Sequence, residues 1–149
     1  MYIQLLAEHT RTTSPDAGPI YSCSNDLVLP NSTAVIIDET TAHLLEDGMD
    51  DWLPDVPHMR PFMAIVEEEH AVSVCASVRI TDSVHHAGVE TLPQYRRSGY
   101  AVRAVAAWAS AVRACGATPL YRTSWDNIAS QNVARMLEMT TIGTDYAIT

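Results

Sequence analysis

The residues whose types and spacing can do chemistry lie in one stretch, Thr91-Leu92-Pro93-Gln94-Tyr95-Arg96-Arg97-Ser98-Gly99-Tyr100-Ala101. Pro93 ends the pairing of a strand before it, which leaves backbone near Leu92 free for a ligand, and a long helical pattern opens after Gly99. Such a junction exposes N–H groups with no acceptor inside the helix, at the positive end of the helix dipole, and both favour a phosphate or pyrophosphate. Gly99 allows close approach of the backbone, and Ala101 is nearly as small. Arg96, Arg97 and Arg103 bring positive charge to the same place. Neither Gly-x-x-x-x-Gly-Lys-Ser/Thr nor Gly-x-Gly-x-x-Gly occurs, which excludes a P-loop and a Rossmann fingerprint.

Two titratable residues precede this junction, His85 and Glu90. Either could take a proton as a general base. They differ in parity along a strand, so they face opposite sides of the sheet unless a bulge intervenes. The bland readings are an exposed turn histidine and a solvated carboxylate. Adjacent His85 and His86 have poor ligand spacing, and Cys23, Cys75 and Cys115 have none, so no metal is expected. Cys75 sits in an apolar strand pattern and reads as core. Trp52 and Trp125 read as packing, with an acceptor-lining role as the alternative.

The elements that must position these residues follow from periodicity. Ala34–Ile37 reads as a buried strand within 32–38, and 40–52 as a short acidic helix carrying Leu44, Leu45, Met49 and Trp52. Pro54, Pro57 and Pro61 mark a loop. Phe62–Val66 and Ala71–Ile80 form a hairpin around Glu67-Glu68-Glu69-His70, and a third strand runs from Val84 to Leu92. Ala101–Cys115 is the strongest helix, with an apolar stripe at Val102, Val105, Ala106, Ala109 and Val112, closed by Gly116 and Pro119. Leu120–Trp125 is a strand. Asp126 or Asn127 caps a helix from Ile128 to about Met139, and 141–149 supplies a last strand. Residues 1–31 carry a short apolar start, Tyr2–Ala7, and then turn formers from Thr10 to Pro19. The order of three strands, helix, strand, helix, strand predicts an α/β (α+β) domain with helices packed on a sheet.

The chain of 149 residues fits a single domain, 1–149, with a real core. Its net charge of −9 is unevenly divided. Residues 1–57 hold ten acids and one arginine. Residues 94–135 hold six arginines and one acid, Asp126, so the basic block coincides with the junction. The overall charge argues against a nucleic-acid binder. No apolar run approaches the 18–20 residues or so of a membrane span. The N-terminus lacks the regions of a signal peptide, and few, unpaired cysteines suit a reducing compartment. A cytoplasmic protein with no membrane partner is the expectation. The acids of 46–55 read as a solvated face, or alternatively as an attraction for a cationic amine.

Arg96-Arg97-Ser98-Gly99-Tyr100-Ala101 resembles the acyl-CoA-binding signature Gln/Arg-x-x-Gly-x-Gly/Ala of the GNAT superfamily of N-acyltransferases. Pro93, Tyr95, Arg96 and Gly99 match its wider form, Val-x-Pro-x-Tyr-Arg-Gly-x-Gly, with Thr91 in place of Val and Arg97 in place of Gly. Asn127 and Ser130 match an Asn-x-x-Ser/Ala element after the next strand. The resemblance covers about Phe62 to Leu137, leaving 1–57 as a variable acidic part and 58–149 as the acyl-CoA part. It implies a mixed, mostly antiparallel sheet with splayed central strands and helices on both faces. It implies acetyl-CoA as co-substrate and an amine as acceptor, with direct attack of the amine on the thioester.

By the same resemblance, the N–H groups of Arg97, Gly99, Ala101 and Val102 hold the pyrophosphate beside Arg96 and Ser98. Thr91 and Leu92 pair with the pantetheine arm, the Leu92 N–H polarises the thioester carbonyl, and Asn127 and Ser130 touch CoA. Glu90 or His85 is the base. A homodimer paired through sheet edges is a further expectation. The sequence departs from the family at Ala134, where many members carry the tyrosine that protonates the thiolate, and at Glu138-Met139 in place of Gly-Phe. Tyr100, Tyr121 and Tyr146 are possible substitutes. A CoA-binding module without turnover, and a plain α/β domain, are the competing readings.

Overall fold

The computed structural model describes residues 17–23, 34–81 and 83–145. The apolar start at Tyr2–Ala7, most of the turn formers after it, and Tyr146 lie outside them. Among the described residues seven strands form one sheet: β1 Gly18–Ser22, β2 Val35–Ile36, β3 Phe62–Glu67, β4 His70–Ile80, β5 Val84–Thr91, β6 Thr118–Arg122 and β7 Thr140–Asp145. Two α-helices follow β5 and β6: α1 Tyr100–Ala114 and α2 Ile128–Met136. The spatial order is β2-β3-β4-β5-β6-β1-β7. Every neighbouring pair is antiparallel except β5 and β6, which are parallel. A crossover helix, α1, is what a parallel pair requires.

The hairpin, the third strand and both helices stand where periodicity puts them, within a residue or two at most ends. Three expectations are corrected. Residues 40–52 do not form an α-helix; two 3₁₀ turns, Ala42–Leu45 and Asp50–Asp55, take their place, broken at Asp47 and Gly48. Asp47 has φ +66°, and Pro54 lies inside the second turn. The strand of 32–38 shrinks, among the described residues, to Val35–Ile36 at the sheet edge. The turn formers before Pro19 hide the start of β1, which lies between β6 and β7. Gly18 is required there: a Cβ on it would stand 1.9 Å from the Thr123 carbonyl oxygen.

Two apolar layers cover the sheet. On one face α1 buries Val102, Val105, Trp108, Ala109 and Val112 against Ile65, Val72, Cys75 and Ala87, and Ala134 and Leu137 join this layer. On the other face the 3₁₀ turns bury Leu45, Met49 and Val56 against Phe62, Ala64, Val74 and Ala76. The alternation along β5 therefore sends His85, Ala87 and Val89 toward α1, and His86, Gly88 and Glu90 toward the 3₁₀ turns. Residues of the acidic N-terminal part thus lie over the same strand that leads into the loop before α1.

Candidate functional site: an opening between two parallel strands

β5 and β6 pair over three residues only, Val84, His85 and His86 against Thr118, Pro119 and Leu120. β5 continues to Thr91 with β4 as its partner, Ser73 opposite Thr91. From about Ala87 onward its other edge has no strand beside it among the described residues, so the backbone there faces a gap. Which groups face it is set by the antiparallel ladder. The Leu92 N–H donates to the Val72 carbonyl at 2.9 Å. Bonding direction alternates along such a strand, so Glu90 and Leu92 spend their N–H groups on β4, whereas Val89 and Thr91 point theirs into the gap. The expectation that Leu92 supplies the thioester donor is corrected on this ground: its N–H is already bonded, and Val89 and Thr91 are the donors available. The Thr91 hydroxyl shares a hydrogen bond of 2.8 Å with Ser73 Oγ.

The loop after β5 forms the end of the gap. Arg96 Nε donates to the Thr91 carbonyl at 3.1 Å, so the guanidinium folds back over the last residue of the strand. Arg97 and Gly99 both take left-handed backbone, φ +65° and +82°. A Cβ on Gly99 would meet nothing within 4 Å, so it is the backbone conformation that calls for glycine here. Gly99, the N-cap residue, has no side chain to cap α1, and the first intrahelical bond to Gly99 is from Arg103 at 3.2 Å. The N–H groups of Ala101 and Val102 have no intrahelical acceptor. Ser98 makes one long contact, Oγ to the Arg96 carbonyl at 3.5 Å.

Tyr100 anchors this end of the helix. Its hydroxyl donates to Glu67 at 2.8 Å, and its ring meets Tyr95 edge-on at 5.6 Å with Arg103 over it at 5.4 Å. The bond to the Glu67 carboxylate raises the Tyr100 pKa, with burial adding to it. That makes Tyr100 a fixed strut rather than a ready acid.

The two base candidates part company. His85 is buried on the α1 face, and its Nδ1 lies 2.8 Å from Ser77 Oγ, which also accepts from Trp108 Nε1 at 2.9 Å. Burial lowers the His85 pKa. Glu90 is exposed on the opposite face, one residue before the end of β5, and its Oε1 accepts from Trp52 Nε1 at 2.6 Å. Trp52 comes from the second 3₁₀ turn and rests edge-on against Phe62, centroids 5.4 Å apart. The link between Trp52 and Glu90 was not legible in sequence, where 38 residues separate them.

On the β6 side, Asn127 caps α2, its Oδ1 accepting from the Ser130 N–H at 3.0 Å. Burial pushes the Tyr121 phenol up to about 12, with the Ser130 hydroxyl acting in the opposite direction. Asn127 Oδ1 therefore has a protein partner. Ala134, at the position of the family tyrosine, is fully buried. Cys23 and Cys75 are buried, and burial raises both thiols, Cys23 to about 11. Among the described residues no group of three or more His, Cys, Asp or Glu could hold a metal ion, and no helix is long and apolar enough to cross a membrane.

No protein-family model matches the chain, and no curated protein matches it. Solved structures do. An acetyltransferase of the GNAT family from Colwellia psychrerythraea superposes with a TM-score of 0.71 at 14% identity, covering 97% of this chain and 59% of its own. A GCN5-related N-acetyltransferase from Kribbella flavida gives 0.62 at 22% identity, covering 95% and 60%. Another from Sphaerobacter thermophilus gives 0.63 at 15%, covering 97% and 54%. The chain spans little more than half the length of these structures. It has the fold of the GNAT acetyltransferases: a mixed, mostly antiparallel sheet whose one parallel pair parts beside a glycine-bearing helix start.

Proposed function

We propose that the protein is an acyl-CoA-dependent N-acyltransferase that moves an acetyl group from acetyl-CoA to an amine. The observation that carries this reading is the early parting of β5 and β6 next to an uncapped helix start. In this reading the N–H groups of Arg97, Gly99, Ala101 and Val102 hold the pyrophosphate, and Arg96 and Ser98 flank it. Thr91 and Val89 pair with the pantetheine arm and meet the thioester oxygen, whose growing negative charge a fixed N–H donor stabilises. The amine nitrogen attacks the carbonyl carbon, the C–N bond forms, and the C–S bond breaks. Glu90 takes the proton from the amine, because Glu90 is exposed beside the opening and one carboxylate oxygen remains after Trp52 has taken the other. His85 instead ties β4 and β5 to α1.

The thiolate leaves without a nearby tyrosine. Its pKa is close to that of a cysteine thiol, about 8.5, so departure needs little assistance. The acidic turn that carries Trp52 begins with Asp50 and Asp51, and a cationic amine acceptor fits that side. A binding module without turnover is the second reading, favoured by the buried Ala134, by the bond that holds Tyr100 and by the burial of Tyr121. Titration with acetyl-CoA followed by a thiol-release assay over polyamines, aminoglycosides, amino acids and peptide N-termini tests the proposal. Binding with turnover of an amine supports the enzyme. Binding without turnover supports the module, and no binding removes both.

A further inference from the structure

The gap between β5 and β6 needs a cause, because two parallel strands that start paired ordinarily stay paired. The register supplies one. β4 holds one residue more than β5 between the pairs Ser77 with Ala87 and Arg79 with His86, so Val78 is a bulge. His86 is also the last residue of β5 to pair with β6. A bulge bends its own strand and increases the local twist, and the neighbour hydrogen-bonded to it must follow. The bend therefore falls at the residue where β5 leaves β6.

The bulge is held from both faces of the sheet. On the face of the 3₁₀ turns, Val78 occupies the space that a side chain on Gly88 would need: a Cβ there would lie 2.3 Å from Val78 Cγ1 and 3.3 Å from Val78 Cβ. On the α1 face, Ser77 is bonded to His85 in β5 and to Trp108 in the middle of α1, at 2.8 and 2.9 Å. Trp108 is fully buried and Ser77 nearly so, and leaving either polar group unpaired there is costly. One side chain seated in a glycine notch and one hydroxyl bonded to strand and helix fix the same step of β4.

We infer that the Val78 bulge, seated on Gly88 and pinned by Ser77 through His85 and Trp108, is the device that holds β5 off β6 and keeps the acyl-CoA opening formed before the ligand arrives. Gly88, Val78 and Ser77 are positioning residues. The inference rests on the reading of the opening as the acyl-CoA site, and it extends that reading to residues that touch neither co-substrate nor acceptor.

Amide hydrogen exchange by NMR on the ligand-free protein reads the opening directly. The Val89 and Thr91 amides should exchange much faster than those of Glu90 and Leu92, which β4 protects; equal protection of all four would overturn the inference. Gly88→Ala should then weaken acetyl-CoA binding by about tenfold or more. Adding Val78→Ala to Gly88→Ala restores the space, and should bring affinity back to within about threefold of the parent. A folded Gly88→Ala protein with parental affinity, or a double variant no better than the single, would overturn the inference. If Gly88→Ala does not fold, the exchange pattern of the parent decides. A parent that shows fast Val89 and Thr91 exchange and binds no acetyl-CoA contradicts the proposed function while leaving the bulge as the cause of the gap.

Discussion

Trp52 donates its indole N–H to the Glu90 carboxylate at 2.6 Å, joining the acidic N-terminal part of the chain to the strand that ends at the proposed phosphate-binding loop. The bond leaves one carboxylate oxygen of Glu90 for a proton from the acceptor. General-base catalysis is worth about 10²–10⁴-fold. Glu90→Gln should therefore cut kcat for a responsive amine by at least about a hundredfold while leaving acetyl-CoA affinity unchanged. Trp52→Phe keeps the ring against Phe62 and loses the donor, so it should cut kcat by less than Glu90→Gln does. Steady-state kinetics beside calorimetric titration separates the two effects, and parental kcat in Glu90→Gln would remove the role.

Burial keeps His85 neutral in the folded protein, and that has a pH consequence. The folded pKa lies below the unfolded value of about 6.5, so the unfolded chain binds the proton first as pH falls. The contribution is complete above about pH 6.5 and is lost as the pH drops through the folded value. His85→Gln retains an acceptor for Ser77 and cannot be protonated. Urea unfolding of this variant should show a flatter stability curve on the acid side of pH 6.5 than the parent. An unchanged curve would place the acid sensitivity elsewhere.

Ser77 is the only described partner of both His85 Nδ1 and Trp108 Nε1. Ser77→Ala leaves two buried polar groups unpaired and should cost about 1–3 kcal/mol for each group left without a partner. Chemical denaturation at pH 8 measures it, and a loss under about 0.5 kcal/mol, the size of a neutral surface change, would mean that water replaces the hydroxyl.

Arg97 combines a left-handed backbone with a charge beside the proposed pyrophosphate site. Arg97→Gly suits the backbone and removes only the charge. Acetyl-CoA affinity should fall at low ionic strength, and the difference from the parent should shrink toward about 1 M salt, where screening shortens to about 3 Å. A loss of equal size at both salt concentrations would point to backbone order instead of charge.

Asn127 behaves as a helix cap in this structure. Asn127→Ala should destabilise by about 1 kcal/mol, and Asn127→Asp should not. Thermal unfolding compares them. If acetyl-CoA affinity also falls in Asn127→Ala, the amide nitrogen reaches the co-substrate as well.

The helix over 100–114, the hairpin and the strand leading to Pro93 were legible because their apolar periods are long and bounded by Gly99, Gly116 and Pro93. The turn before α1 was legible because Gly99 marks a left-handed backbone position at the start of a long helical pattern. The donors in the gap were not. Whether Leu92 or Thr91 faces the gap depends on which ladder bonds β4 takes, and one residue of register exchanges the two roles. The insertion of β1 between β6 and β7 was equally hidden, since Gly18 and Pro19 signal a turn and the need for them lies in Thr123, about a hundred residues on. His85 and Glu90 are equal base candidates in the sequence; the burial of His85 against Ser77 appears only in the fold, and Glu90 gains its partner from a turn that reads as a helix.

The central claim is that the gap between β5 and β6 receives acyl-CoA. An amide NMR titration with acetyl-CoA tests it most directly. The predicted result is saturable shifts concentrated at Val89, Thr91, Arg97, Gly99, Ala101 and Val102, with protection of the Val89 and Thr91 amides from exchange in the complex. Shifts absent up to about 1 mM ligand, an affinity too weak to hold a co-substrate at about 4 kcal/mol, or confined to the far edges at β2 and β7, would contradict it.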